Sequence, residues 1–185
     1  HSNAYEEVSQ GGGHLGLSNM GNTCYMNSAL QCLLHVPEIN YYFFYNIYKK
    51  ELNFDNPLGY HGDVANAFGS LLKQAFDHVK NSSSISPREF KSTIGRYSSM
   101  FSGYLQQDSQ ELLSWLLDAL HEDLNRIHQK PYCEKPELKD DEIDDPQAIT
   151  KLANTCWNQH KARNDSVIID LFTGLYQSTL ICPDC

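Results

Sequence analysis

Cys24 is the side chain in this sequence best placed to do chemistry, because of what surrounds it. The run Gly16-Leu17-Ser18-Asn19-Met20-Gly21-Asn22-Thr23-Cys24-Tyr25-Met26-Asn27 sets two glycines ahead of an apolar-periodic segment. Asn22 or Thr23 can cap the helix that the periodicity predicts, so Cys24 falls in the first helical turn. Unpaired backbone N–H groups and the positive end of the helix dipole favour a thiolate there, and the same N–H groups can bind the oxyanion of an acyl-transfer intermediate. The competing reading is a small buried hydrophobe, as unpaired cysteines often are. Helical geometry argues against it. At about 100° per residue, Cys24 lies nearly opposite the stripe Met26, Ala29, Leu30, Leu33 and Leu34, on the face shared by Asn27, Ser28 and Gln31. Cys32 sits beside that stripe and fits the buried reading.

Two further stretches carry chemistry-capable residues. In Tyr104-Leu105-Gln106-Gln107-Asp108-Ser109-Gln110-Glu111-Leu112-Leu113, Asp108 followed three residues later by Glu111 is a capping box at a helix start. At the end, Cys182-Pro183-Asp184-Cys185 is a Cys-x-x-Cys pair, compatible with half a zinc site, a redox pair or chance. A thioredoxin-like role would need a strand–turn–helix, and nothing follows Cys185 to provide one.

The elements that must position these residues are mostly helices. Periodicity predicts one over residues 24–35, then an aromatic segment over 39–48 opened by Pro37. A second amphipathic helix spans 63–79, with Val64, Ala67, Phe68, Leu71, Leu72, Ala75 and Phe76 inward. Residues 81–84 form a turn-rich break. Ser86-Pro87-Arg88-Glu89 then supplies an N-cap, a proline at the first helical position and a glutamate at the third, for a short helix ending near Tyr97. The longest helix is expected over 108–128, with Leu112, Leu113, Leu116, Leu117, Leu120, Leu124 and Ile127 inside. A charged linker covers 131–146, and Asp145-Pro146 starts a helix to about Arg163. Residues 167–172 suit helix or strand, and 175–181 look extended. Residues 5–13 read as a polar, glycine-rich lead-in, and His1-Ser2-Asn3-Ala4 as a cloning remnant.

Composition narrows the function classes. With 41% apolar and 20% charged residues in 185, the chain is globular, and no apolar run approaches the roughly 20 residues needed to cross a bilayer. A net charge of −9 argues against nucleic-acid or anionic-membrane partners and suits a basic one. Part of that charge is the local run Lys139-Asp140-Asp141-Glu142-Ile143-Asp144-Asp145, which reads as a solvated loop. Six cysteines at these spacings are no disulfide scaffold, which points to a reducing compartment, cytosol or nucleus.

Residues 16–27, continuing Ser28-Ala29-Leu30-Gln31-Cys32-Leu33, resemble the cysteine box of the ubiquitin-specific proteases nearly residue for residue. Gln106, Asp108 and Glu111 resemble the Gln-x-Asp-x-x-Glu box that follows it in that family. Residues 166–175 and 178–185 match a third segment, leading into the finger strands. The run 101–127, with Lys130-Pro131-Tyr132 and Arg163-Asn164-Asp165-Ser166, looks closest to a subgroup whose catalytic domain is interrupted by a long insertion.

The resemblance implies a mainly α chain: the helical thumb of an α+β papain-like cysteine protease, with the first finger strand at its C-terminus. It divides the sequence into residues 1–13 as lead-in, 14–165 as thumb and 166–185 as the start of the fingers. It implies Cys24 as nucleophile and Asn19 as an oxyanion-hole side chain. Asp108, with Gln106 and Glu111, would hold the C-terminal tail of ubiquitin, although Glu111 suits capping better. The partners implied are ubiquitin and ubiquitinated proteins, with no cofactor for catalysis. Cys182 and Cys185 would be half of a structural zinc site completed only in the whole domain. None of the eight histidines lies in a segment resembling the family's histidine box, and His14 sits in a glycine-rich lead-in. The base is therefore expected from a C-terminal lobe, and the 185 residues alone are expected to be inactive. The alternatives are a ubiquitin-binding module without catalysis and a papain-type protease acting on ordinary peptides.

Overall fold

In the computed structural model, residues 15–76, 83–179 and 182–183 are described. The order of elements is β1 (Gly16–Leu17), α1 (Cys24–Leu34), α2 (Pro37–Phe44), a 3-10 turn (Ile47–Lys50), α3 (Asp63–Phe76), β2 (Ser84–Ile85), α4 (Arg88–Tyr97), a second 3-10 turn (Ser99–Phe101), α5 (Ser109–Asp123), a third (Asp140–Glu142), α6 (Pro146–Arg163) and α7 (Val167–Phe172). The mainly helical class expected from the periodicities is what the chain adopts.

The core forms where the apolar faces meet. α1 buries Tyr25, Met26, Ala29, Leu30, Leu33 and Leu34 and packs on α5, which contributes Leu112, Leu116, Ala119 and Leu120. α3 packs between α2 and α4. At that junction Phe43 is fully buried, its ring 4.9 Å from Phe68 and 4.8 Å from Tyr48. A side chain of this size contributes about 1.5–3 kcal/mol by leaving water. Gly69 is required here: a Cβ on it would lie 2.7 Å from the Tyr48 hydroxyl oxygen.

The two strands form a parallel pair, Gly16 beside Ser84 and Leu17 beside Ile85, where the sequence had predicted a strand only near the C-terminus. Two residues per strand are too short for an alternation to be read. Residues 173–179 carry no regular structure, and residues 180 and 181, the rest of the expected extended run, lie outside the described residues. The same holds for the lead-in and for residues 77–79 of the predicted second helix.

Other boundaries moved for identifiable reasons. α4 starts at Arg88, its N-cap is Pro87, and Ser86 instead donates its hydroxyl to the Met20 sulfur at 3.2 Å. Among the described residues the longest helix is α6, not α5. α5 stops at Asp123 because Asn125 redirects the chain: its Nδ2 donates to the Arg163 carbonyl, and its Oδ1 accepts from the Ile127 and Asp165 N–H groups. Leu113, Leu117 and Ile127, expected inside, are only half-buried. The ambiguous 167–172 segment is helical, capped by the Ser166 hydroxyl, which accepts from the Ile169 N–H.

Two buried polar groups bind the helices together. Asp123 is 0% exposed and caps α3 from a distance: Oδ1 accepts from the Tyr60 and Gly62 N–H groups at 2.7 and 3.1 Å, and Oδ2 from Val64 and Ala65 at 3.1 Å each. His121 lies between Ser166 Oγ (2.8 Å from Nδ1) and Asn164 Oδ1 (3.2 Å from Nε2), which ties α5 to the segment between α6 and α7. Asn164 Oδ1 can only accept, so Nε2 carries the proton and Nδ1 accepts from Ser166. Burial holds the His121 pKa below the ordinary imidazole value.

Candidate active site

Cys24 is the first residue of α1, and its side chain is exposed, opposite the buried stripe. Cys32 is also exposed, contrary to the buried position expected beside that stripe. No described side chain or carbonyl takes a hydrogen bond from the Cys24 N–H, one of the groups that the first turn of a helix leaves unpaired.

The turn before Cys24 is organised by Asn19. Its Oδ1 accepts from the Gly21 N–H at 3.1 Å, the Thr23 N–H at 3.2 Å and the Thr23 hydroxyl at 3.2 Å. The Thr23 hydroxyl in turn accepts from the Met20 N–H at 3.0 Å. Thr23 is the N-cap position, yet neither its side chain nor that of Asn22 makes the capping bond expected of them. Three donors on Oδ1 fix the orientation of the Asn19 amide. Its Nδ2 makes no hydrogen bond among the described residues, and the side chain is exposed. Gly21 and Asn22 hold φ of 96° and 54°, a left-handed pair that lets the chain double back before the helix.

Long-range bonds hold this turn. Asn27 Nδ2 donates to the Leu17 and Ser18 carbonyls at 3.0 and 3.3 Å, and Gln31 Nε2 to the Leu15 carbonyl at 3.3 Å. The Gly16 and Ser18 N–H groups bond to the Ser83 and Ile85 carbonyls at 2.9 and 2.8 Å. Asn22 Nδ2 donates to the Tyr104 carbonyl at 2.9 Å, joining the cysteine turn to the segment that leads into Gln106 and Asp108. Sequence reasoning missed this bridge; an asparagine in a glycine-flanked turn was its one available signal.

Asp108 is the N-cap of α5, its Oδ1 accepting from the Gln110 and Glu111 N–H groups at 2.7 and 3.3 Å. Glu111 does not close the expected box: its carboxylate makes no hydrogen bond among the described residues and is exposed, as is Gln106. Asp108 Oδ2 is likewise left over, a carboxylate oxygen at the positive end of a helix. Tyr104 and Leu105, beside it, are 76% and 74% exposed.

No described histidine bonds to Cys24. His35 meets the Gln31 carbonyl, His61 the Phe54 carbonyl, and His121 is buried as above; His14 lies outside the described residues. Among the described residues no group of three or more His, Cys, Asp or Glu side chains is placed to hold a metal. Cys182 is exposed and Cys185 lies outside them, so the described residues do not make a zinc site. No described helix is long and apolar enough to cross a membrane.

The architecture is matched in known proteins. The family model for UCH, ubiquitin carboxyl-terminal hydrolase, fits residues 15–185. Ubiquitin carboxyl-terminal hydrolase 12 of Saccharomyces cerevisiae is 54% identical over 187 residues, covering 98% of this chain and 15% of its own length. Probable ubiquitin carboxyl-terminal hydrolase 1 of Schizosaccharomyces pombe is 51% identical over 173 residues, covering 94% of this chain and 20% of its own length. The chain thus spans 15% and 20% of the length of these two relatives. The structure of the SAGA Ubp8/Sgf11/Sus1/Sgf73 DUB module bound to ubiquitin aldehyde superposes with a TM-score of 0.51 at 23% identity, over 66% of this chain and 28% of that one, and shows the shared fold. On the family match and these identities, the chain belongs to the ubiquitin carboxyl-terminal hydrolase family.

Proposed function

We propose that these residues are the nucleophile-bearing part of a deubiquitinating thiol hydrolase, which cleaves the isopeptide bond after the last glycine of ubiquitin. The observation that carries this reading is the pairing of an exposed Cys24 at a helix start with an Asn19 amide whose oxygen is tied down and whose nitrogen is open. The Cys24 thiolate attacks the glycine carbonyl carbon. The oxyanion that forms accepts hydrogen bonds from the Cys24 N–H and from Asn19 Nδ2. Collapse expels the lysine amine, which takes a proton from a histidine supplied by a C-terminal lobe. Water then hydrolyses the thioester, releasing the ubiquitin carboxylate and the free thiol. Gln106, Asp108 and Glu111 line the path of the ubiquitin tail, and the open Asp108 oxygen suits an arginine of that tail.

Under the same reading the protein works in the cytosol or nucleus and belongs to the subgroup with an interrupted catalytic domain. Cys182 and Cys185 supply two of four zinc ligands, the others coming from outside this sequence. None of the eight histidines lies in a segment resembling the family's histidine box, which favours one second reading for the 185 residues alone: a ubiquitin-binding module without turnover.

An electrophilic ubiquitin C-terminal probe tests the proposal, because it reports attack by the nucleophile without the later steps. Labelling of the complete catalytic domain, lost on Cys24→Ser, and negligible labelling of the isolated 185 residues is the expected pattern. Labelling at Cys32 or Cys156 would move the nucleophile, and rapid labelling of the isolated chain would place the base within it.

A further inference from the structure

We propose that the cavity between α4 and the Asn19–Thr23 turn is a binding site for a phosphate monoester carried on a small organic body. On α4, Arg88, Lys91, Ser92, Gly95 and Arg96 recur at i, i+3, i+4, i+7 and i+8, which places them on one helix face. That face lines an open cavity of about 500 Å³, bordered elsewhere by Met20 and Thr23 of the cysteine turn and by Ser102 and Tyr104. Gly95 lets the roof come this near: a Cβ there would lie 3.1 Å from Ser102 Cα.

The charge on these walls does not balance. In a chain with net charge −9, three of its 14 Lys and Arg residues face this one cavity. Arg96 meets Asp63 at 3.4 Å, and the same Asp63 oxygen accepts from the Tyr97 hydroxyl at 2.7 Å. Glu89 is turned to the Ser70 hydroxyl, 3.4 Å away, on a different face of α4. Lys91 donates to the Phe101 and Gly103 carbonyls but to no carboxylate, and burial holds its pKa below the ordinary lysine value. Arg88 has no ion pair or hydrogen bond among the described residues. Two positive charges therefore remain unmatched.

Guanidinium groups bind phosphate oxygens in pairs, and a dianion matches an excess of two. The volume exceeds what a bare ion needs and falls in the range of small-molecule sites. The Met20 and Tyr104 side chains offer an apolar wall for the organic part. Thr23 lines the cavity while its hydroxyl holds Asn19, so an occupant touches the residues that set the nucleophile turn. The site stands on its own geometry and does not depend on the hydrolase reading.

Phenyl phosphate is the probe, titrated at low salt against the chain by calorimetry and by amide NMR shifts, with phenol and inorganic phosphate in parallel. Saturable binding with shifts at Lys91, Ser92 and Gly95 is expected, with phenol inert and inorganic phosphate weaker. Arg88→Glu and Arg88→Gln should each weaken binding about tenfold or more, with the melting temperature unchanged because Arg88 is exposed. Adenosine monophosphate and a phosphotyrosine peptide then separate a free metabolite from a modified protein; preferential binding of either identifies the source. Absence of saturation at millimolar probe, equal affinity for inorganic phosphate, or unchanged binding in both Arg88 variants would overturn the proposal.

Discussion

Replacing Asp123 with asparagine tests how much one distant cap contributes to the helical framework. The carboxylate serves four N–H groups, two on each oxygen, and is fully buried. Asparagine has one oxygen and one NH2. Its oxygen should keep the Tyr60 and Gly62 pair, which includes the shortest bond at 2.7 Å. The NH2 then faces the Val64 and Ala65 N–H groups, both 0% exposed and out of reach of water. A buried donor without an acceptor costs about 1–3 kcal/mol, so two cost about 2–6 kcal/mol. Part of this is offset, because burial already raises the Asp123 pKa and so taxes the native carboxylate. A net loss of about 2–4 kcal/mol should lower the melting temperature by roughly 5–15 °C in a chain of this size. Calorimetry at neutral pH with a parallel urea titration reads both quantities. A melting temperature within about 2 °C of the parent, at a resolution well inside the shift expected, would show that α3 does not lean on this carboxylate.

Other perturbations address the site and its supports. Asn19→Asp keeps the oxygen that organises the turn and removes the Nδ2 donor, so kcat of the complete enzyme should fall by about 10²–10³ with little change in melting; retained kcat would remove Asn19 from the oxyanion hole. Asp108→Asn preserves the cap, since asparagine caps about as well as aspartate, and should raise KM for ubiquitin substrates without altering stability; unchanged KM would leave capping as its role. His121 has a folded pKa below its unfolded value, so its contribution to stability is complete above about pH 6.5 and is lost as pH falls through the window below. The melting temperature should therefore drop on acidification from pH 7.5 to 5, less steeply in His121→Gln, and parallel slopes for the two proteins would exclude His121 as the group responsible.

Local chemistry made parts of this architecture legible in advance. The apolar stripes of α1 and α3 and the caps at Asp108 and Asp145 are short-range signals, and each is used as its spacing implies. What stayed hidden depends on partners far away in sequence. Nothing near Asp123 announces that it caps a helix beginning sixty residues earlier. The end of α5 is set by Asn125 bonding to Arg163 and Asp165, not by a local breaker. Glu111 follows the capping-box pattern, but its carboxylate does not return to the Asp108 N–H, and Asp108 caps the helix alone through the Gln110 and Glu111 N–H groups. Cys32 was misplaced because periodicity ranks positions around a helix without saying how wide the contacting surface is. At the site, residue types pointed to Cys24 at an exposed helix start, while the bridge from Asn22 to Tyr104 required the folded chain.

That bridge and the β1–β2 pair have a consequence for the order of events in folding. They span 82 and 68 residues, and each closes a loop whose entropy must be met before the contact stabilises anything. Helices α3 and α4 pack on each other across a short stretch of sequence and can meet first. The stretch from Leu15 to Thr23 then finds its shape only when segment 83–85 and the Tyr104 carbonyl have arrived to receive it. In a partly folded chain Cys24 accordingly begins a helix whose preceding turn is not yet formed. The turn that leads into Cys24 comes into being as a late property of the whole lobe.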